Sequence, residues 1–267
     1  MALDEAIGEE VMSRRSPATI RFYAWDHPTI SLGNNQMIGS DIDVEACGEH
    51  QVRIVRRPTG GSAVLHMPSD LTYSVMVRDQ DLSNELNELQ GRLKISYHYF
   101  CNPIVGALQS PQIGLPAECP AESPNDIRVY GCKISGNAQV RLRWSGGQGH
   151  ASGNVSGHPS KVELGLLQHG TILYEFDEPL LRRLVRDPKP GGIGWVRKWR
   201  DVSREDVYAV LVDHFTAGKE WVWGEPNIAE LARAEQLVRE KYGSWEWTAK
   251  QGHKIKGSCY DHVGRGE

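Results

Sequence analysis

The sequence predicts an α/β or α+β domain, a mixed β-sheet flanked by helices with a helical C-terminal segment. Three observations lead there. Segments of alternating, β-branched and aromatic residues recur through the first third of the chain. A long stretch of helical period follows, and strand-like segments resume after it. Beyond Ser203 the period is helical to near the end. Strands, a helix, further strands and terminal helices together describe a sheet covered by helices.

Residues 2–12 carry apolar residues at helical spacing and predict a helix ending before Ser16-Pro17. Residues 19–25 (T-I-R-F-Y-A-W) alternate as a strand does, and 29–32 form a second strand stopped by Gly33-Asn34-Asn35. Residues 41–50 predict a short helix. Strand 52–55 runs into R-R-P-T-G-G-S, and 71–77 (L-T-Y-S-V-M-V) is the next strand. Residues 82–108 predict a long helix interrupted near Pro103. Residues 127–130 and 133–135 read as a hairpin around Gly131. The stretch 144–165, rich in Gly, Ser and His, shows neither period and predicts a long polar loop. Strand character returns at 166–174, and helices follow at 203–215 and 228–242 before a polar tail. No repeat or linker divides the chain, so 1–267 is expected to form one catalytic domain, with 203–267 as its helical C-terminal segment.

No apolar run approaches the ~20 residues of a membrane span, so no membrane association is expected. The N-terminus lacks the basic-then-apolar pattern of a secretory signal. Five cysteines at irregular spacings fit free thiols in a reducing cytoplasm better than a disulfide framework. A formal net charge of -4 argues against a dedicated nucleic-acid binder.

Four segments have the composition of a site. In R-R-P-T-G-G-S-A-V-L-H (56–66), paired glycines after a strand let a ligand approach exposed backbone N–H groups, and the arginines offer planar donors facing a small acidic or polar ligand. A hairpin turn with two solvated arginines is the plainer reading of that spacing. In G-C-K-I-S-G-N-A-Q (131–139), Lys133 lies between glycines and offers a compact charge to a carbonyl or phosphate oxygen; a surface lysine is the alternative. Cys119, in the Pro-rich P-A-E-C-P loop, is placed to be reachable, and a neighbouring cation would favour its thiolate. His169, in L-Q-H-G-T-I-L, is either structural or pocket-lining. Cys259-x-x-His262 lacks a second ligand pair, and His150 and His158 lack ligand spacing, so no metal site is expected.

Taken in order, M-A-L-D-E-A, R-F-Y-A-W with S-L-G-N-N-Q, R-R-P-T-G-G-S-A-V-L-H, L-T-Y-S-V, K-I-S-G-N-A-Q, L-Q-H-G-T-I-L and E-K-Y-G-S-W-E-W resemble the lipoate–protein ligase and octanoyltransferase family along nearly the whole chain. The resemblance implies the fold shared with biotin ligases. It assigns Lys133 to the acyl carbonyl or acyl-adenylate phosphate and Gly136 to substrate binding. Arg57, Thr59, Gly60, Gly61 and His66 form one wall of the acyl site, and His169 and Gly170 another.

The family holds two chemistries. The cysteine-dependent octanoyltransferase branch, which this chain resembles more, carries a loop cysteine upstream of its lysine motif, where Cys119 stands. That branch implies octanoyl-acyl carrier protein as donor, a lysine of a lipoyl domain (glycine-cleavage H protein or a 2-oxoacid dehydrogenase E2) as acceptor, and no cofactor. The alternative, a lipoate–protein ligase, implies ATP and Mg and leaves Cys119 incidental. An inactive homologue that binds lipoyl domains is a third reading. Three features depart from the pattern: Met67 stands where Asp is common after the histidine, Ser62 occupies the third position of the glycine turn, and Asn125-Asp126 looks more like ligases. The chain also begins where relatives usually carry an earlier strand, which implies a shortened start or a lost edge strand. Cys132, next to Lys133 on a strand, is expected to point to the opposite face, which favours Cys119 as the nucleophile.

Overall fold

The computed structural model describes residues 1–82, 93–145, 163–186 and 192–249. The chain opens with helix α1 (Ala2–Met12), strands β1 (Thr19–Tyr23) and β2 (Thr29–Leu32), short helices α2 (Ile38–Asp41) and α3 (Val44–Glu49), and strands β3 (Arg53–Arg56), β4 (Val64–His66) and β5 (Leu71–Arg78). Helix α4 (Leu93–Gln109) leads to β6 (Ala117–Glu118), β7 (Asp126–Val129), β8 (Cys132–Trp144) and β9 (Glu163–Ile172). Helices α5 (Glu178–Leu184), α6 (Val196–Trp199), α7 (Arg204–Thr216), α8 (Ile228–Leu237) and α9 (Trp245–Ala249) follow.

The strands divide between two sheets. Six pair antiparallel in the order β1-β5-β9-β8-β7-β6, and three form a smaller sheet, β3-β2-β4. Mixed pairing is confined to the smaller sheet, where β2 runs parallel to β3 and antiparallel to β4. One face of the large sheet is apolar at Tyr73, Val75, Leu166 and Ile172 and is covered by Phe100, Ile104 and Leu108 of α4 and Val207, Leu211 and Phe215 of α7. On the other face, Ile7 and Val11 of α1 pack on Met76 and Leu167. The small sheet, with its own core around Ile30, Leu32 and Leu65, joins the large one through side-chain hydrogen bonds. Among the described residues no helix is long and apolar enough to cross a membrane.

Local chemistry accounts for most element ends. Asp43, Ser203 and Asn227 cap α3, α7 and α8, and Asn227 forms a reciprocal capping box with Glu230. Between β7 and β8 the two turn residues Tyr130 (φ 50) and Gly131 (φ 75) both adopt positive φ, as a tight two-residue hairpin requires. Helix α4 passes through Pro103 without the expected interruption. Its buried face, from Phe100 to Leu108, packs between the sheet and α7, and that burial outweighs the ~3 kcal/mol a helix-interior proline costs. The portion of that predicted helix at 83–92 lies outside the described residues, as does 146–162 of the predicted polar loop. The ends of that loop are strand, since β8 extends to Trp144 and β9 starts at Glu163. Strand β4 was not anticipated, because three residues carry too little pattern to register.

Two quoted motifs turn out to be latches. Arg56 is almost completely buried and donates from Nε to the Trp247 and Thr248 carbonyls and from Nη1 to Gly33 O at 2.7 Å, while Trp247 Nε1 donates back to Arg56 O. The W-E-W segment thus closes over β3. Gly33 of S-L-G-N-N packs against the glycine turn so closely that a Cβ there would lie 2.0 Å from Gly61 O, and Asn34 N donates to Thr59 O. Backbone cannot yield as a flexible side chain can. A Gly33→Ala variant is therefore expected to lose about 2 kcal/mol or more of stability, read as a lower thermal midpoint; an unchanged midpoint would show that the two loops are not in contact.

Candidate functional site

The polar face of the large sheet carries most of the candidate site, arranged in rows set by strand register. Gly136 on β8 pairs with Thr171 on β9, and Ala138 pairs with His169. Directly paired residues on antiparallel strands share a face. Thr171 Oγ1 meets His66 Nδ1 at 3.1 Å, His66 Nε2 meets Ser31 Oγ at 2.8 Å, and His169 Nε2 meets Thr59 Oγ1 at 2.6 Å. Trp25 stacks on the His66 ring with centroids 4.2 Å apart and donates to Thr72 Oγ1. Burial pushes the His169 imidazole down to about 3; Asp4 opposes this and the Arg57 charge adds to it. Burial also holds His66 well below the ordinary histidine value, with Arg57 and His169 acting in the same direction. Both rings are neutral at pH 7. His169 Nδ1 is buried and has no hydrogen-bond partner among the described residues, so the site keeps one unused polar atom.

Arg57 does not present a free guanidinium. It is 5% exposed and donates to Ser31 O, Gly60 O and Ser62 O at 2.7 to 2.8 Å, bracing the turn from inside. Burial lowers its ordinary value to about 10. The expectation of two arginines facing an acidic ligand is corrected, because both are buried and direct most of their donors to backbone carbonyls. What they leave exposed is the turn itself. Gly61 has φ +98, and a Cβ on it would sit 2.8 Å from Arg57 Nη2; a Cβ on Gly60 would meet nothing within 4 Å.

Lys133 reaches this face through a register shift. Ser135 and Lys133 oppose the consecutive residues Ile127 and Arg128, leaving Ile134 as the extra residue of a β-bulge. Three positions apart on a regular strand, Lys133 and Gly136 would face opposite ways. The bulge puts them on one side, and the lysine chain lies across Gly136, where a Cβ would come 2.9 Å from Cε and 3.0 Å from Nζ. Lys133 Nζ pairs with Asp126 Oδ1 at 2.6 Å, and Asp126 is itself opposite Gly136. Gly170 is shaped by the other face, where a Cβ would collide with Asn137 Oδ1 at 1.9 Å and Tyr73 Cε1 at 2.6 Å.

Cys119 follows β6, packs on the core beneath α4, and donates from Sγ to Pro124 O at 3.1 Å. Its favouring neighbour is a thiol and not the expected cation. The Cys101 side chain donates toward the Cys119 sulfur and lowers its value, while burial and the Asp126 carboxylate oppose; Cys101 is pushed far up in return. Cys119 is half-buried and Cys101 fully buried, so Cys119 is the thiol that ionises first. Lys133 and Cys119 approach residues 124–126 from different faces, and Asp126 lies between them in charge. Cys132 points away from Lys133, with Sγ 2.7 Å from where a Gly192 Cβ would be. Trp25, Thr171 and Asp126 were missed from sequence. Only Asp126 left a trace, in the Asn-Asp pair before a strand. Among the described residues no group of three or more His, Cys, Asp or Glu converges as a metal site; His150, His158, Cys259 and His262 lie outside them. An apolar groove of about 260 Å³ lined by Phe22, Leu71 and Tyr208 includes none of the predicted site residues.

A half-buried cysteine and a lysine–glycine bulge at the edge of the large sheet, with a glycine turn in the smaller one, make up the candidate site of a fold of the acyl-attachment class. The model of the lipoyl protein ligase A/B catalytic domain matches residues 1–216, and the chain belongs to that family. It is 32% identical to an octanoyltransferase LipM of Geobacillus kaustophilus, covering 94% of this chain and 93% of the relative. Identity to the octanoyltransferase LipM of Halalkalibacterium halodurans is 31%, with 94% of each chain covered. Among solved structures, a lipoate–protein ligase A bound with ATP superposes with a TM-score of 0.73 at 22% identity, covering 93% of this chain and 92% of that one. A bi-partite lipoate–protein ligase of Thermoplasma acidophilum gives 0.72 at 21%, covering 95% and 92%. These two share the fold.

The neutral histidines set an acid limit on the fold. In the unfolded chain both titrate near 6.5, so their contribution is complete above that pH and is lost as pH falls toward 3, at up to about 1.4 kcal/mol per pH unit for each. The thermal midpoint is expected to drop between pH 7 and pH 5, and to drop less in His169→Gln. An identical pH slope in that variant would mean that His169 is already charged in the fold.

Proposed function

We propose that this chain is a cytoplasmic protein octanoyltransferase. In this reading it takes octanoyl from acyl carrier protein onto Cys119 and passes it to a lysine of a lipoyl domain, without a cofactor. The likeness to octanoyltransferases over 94% of the chain carries the reading. The half-buried thiol with the lower value of the Cys101–Cys119 pair supports the choice of nucleophile. Residues 1–267 then act as one catalytic unit, with 203–267 as its C-terminal segment.

The Cys119 thiolate attacks the octanoyl thioester carbonyl, forming an S–C bond and a tetrahedral oxyanion. The oxyanion collapses, expels the carrier's sulfur as a thiol that takes up the proton Cys119 gave, and leaves octanoyl on Cys119. The neutral amine of the acceptor lysine attacks this second thioester. An amide forms, and Cys119 departs with a proton from the amine. In this reading Lys133 supplies the positive charge to the oxyanion. Its ammonium rests on Asp126 over the bare Cα of Gly136, where a short swing brings it to a substrate oxygen. The exposed turn at Gly60 and Gly61 offers backbone N–H groups to the acyl oxygen, Thr59, His66 and His169 form the wall beside it, and Gly170 joins that wall through its backbone only.

Intact mass after incubation with octanoyl-acyl carrier protein, without ATP, tests the covalent step. An octanoyl increment is expected on the wild type and none on Cys119→Ala. An adduct that survives in Cys119→Ala, or acceptor modification only with ATP, Mg and free lipoate, would refute the reading. Lys133→Gln is expected to keep the thiol yet lower the rate of acyl-enzyme formation about a hundredfold; wild-type burst kinetics in that variant would remove Lys133 from the oxyanion role.

A further inference from the structure

The apolar face of the large sheet contains a line of polar side chains, exposed at its Arg141 end and buried at Gln168, Tyr73 and Asn137, that the acyl-transfer steps above do not use. Arg141 Nη2 donates to Ser96 Oγ at 3.4 Å, and Ser96 donates to Gln139 Oε1 at 2.8 Å. Gln139 Nε2 donates to Gln168 Oε1 at 2.5 Å, and Gln168 Nε2 to the Tyr73 hydroxyl at 2.5 Å. Tyr73 donates to Asn137 Oδ1 at 2.9 Å, and Asn137 Nδ2 to the carbonyl of Asn125 at 3.1 Å. The amide orientations follow from the sequence of donors. Gln168 and Tyr73 are fully buried, and Asn137 is nearly so.

Burying such groups is costly unless every one is paired, and apolar residues would cover this face at less risk. The line has a direction: each member accepts from the side of Arg141 and donates toward Asn125. Tyr73 has no freedom in this, since it accepts from Gln168 and therefore gives its proton to Asn137. Asn137 grips its target three times, adding N to Asn125 O at 2.9 Å and accepting Asn125 Nδ2 on its own carbonyl. The residue before Asn125 holds Cys119 by its carbonyl, and the residue after it holds Lys133 by its carboxylate. Gly170 leaves the space above β9 in which Tyr73 and Asn137 meet.

We propose that Gln168, Tyr73 and Asn137 are positioning residues for the acyl-transfer site, fixing the 124–126 segment so that the Cys119 thiol and the Lys133 ammonium stay in register across the sheet edge. The inference rests on the octanoyltransferase reading for its effect on turnover, but not for its effect on the thiol. With the segment released, Pro124 O and the Asp126 carboxylate no longer hold Cys119 protonated. The thiol then becomes easier to ionise while its alignment with Lys133 is lost.

Tyr73→Phe tests this, because the ring and its packing on Phe215 remain and only the hydroxyl goes. Two readouts are taken: the pH profile of Cys119 alkylation by iodoacetamide, followed by peptide mass, and kcat and KM for octanoyl transfer. The expected result is an alkylation midpoint lowered by about half a pH unit together with a kcat about tenfold to a hundredfold lower at nearly constant KM. Ser96→Ala, at the far end of the line, should show both effects in smaller degree, and it replaces Tyr73→Phe if that variant does not fold. An unshifted alkylation profile in the folded variants, whatever happens to their stability, overturns the proposal. Should Cys119→Ala retain full transfer activity, Cys119 is not the nucleophile of the transfer, and the alkylation profile still decides whether the line positions this thiol.

Discussion

The structure turns on a polar seam between two sheets. Thr59 and His66 come from the glycine turn and the small sheet, His169 and Thr171 from the large sheet, and their hydrogen bonds join the layers where an apolar interface would be expected. A seam of that kind holds only if its imidazoles remain uncharged and its donors are answered. Burial provides the first condition. The second is met for every ring nitrogen except His169 Nδ1, which is left facing the site without a partner among the described residues. Arg57 keeps the turn in place from beneath, and the missing Cβ of Gly33 lets the neighbouring loop close against Gly61.

On this platform the proposed chemistry depends on absent atoms as much as on present ones. Gly136 allows Lys133 to lie flat and reach Asp126, and Gly170 allows Tyr73 to reach Asn137 over the opposite face. The bulge at Ile134 converts a three-residue spacing into a shared face. Lys133 and Cys119 accordingly belong to different faces of the sheet and converge only where β7 begins. The short segment Pro124-Asn125-Asp126 touches both.

Helix α1, strands β2 and β5 and the hairpin at Gly131 were legible because period and turn chemistry agree at those positions. The candidate site was legible as a set of motifs, of which the structure joins the glycine turn to His169 and lays Lys133 over Gly136, while Cys119 stands on the other face. What each residue does was less so. Arg57 reads as a ligand-facing cation, yet its donors go to carbonyls that no sequence pattern reveals. Pro103 reads as a break, yet the packing of α4 overrides it. Asp126 and Trp25 gain their roles from partners far along the chain.

The sequence by itself determined the strand and helix periods, the glycines that permit positive φ or close approach, and the family to which the chain belongs. These are properties of local steric freedom and residue order. The tertiary structure alone decided which side chains face one another: that Lys133 rests on Asp126, that Cys101 lies beside Cys119, and that a directed line of hydrogen bonds ends at Asn125. The physical reason is that register, bulges and burial depend on pairings between distant segments, and a one-residue shift in a strand exchanges its faces.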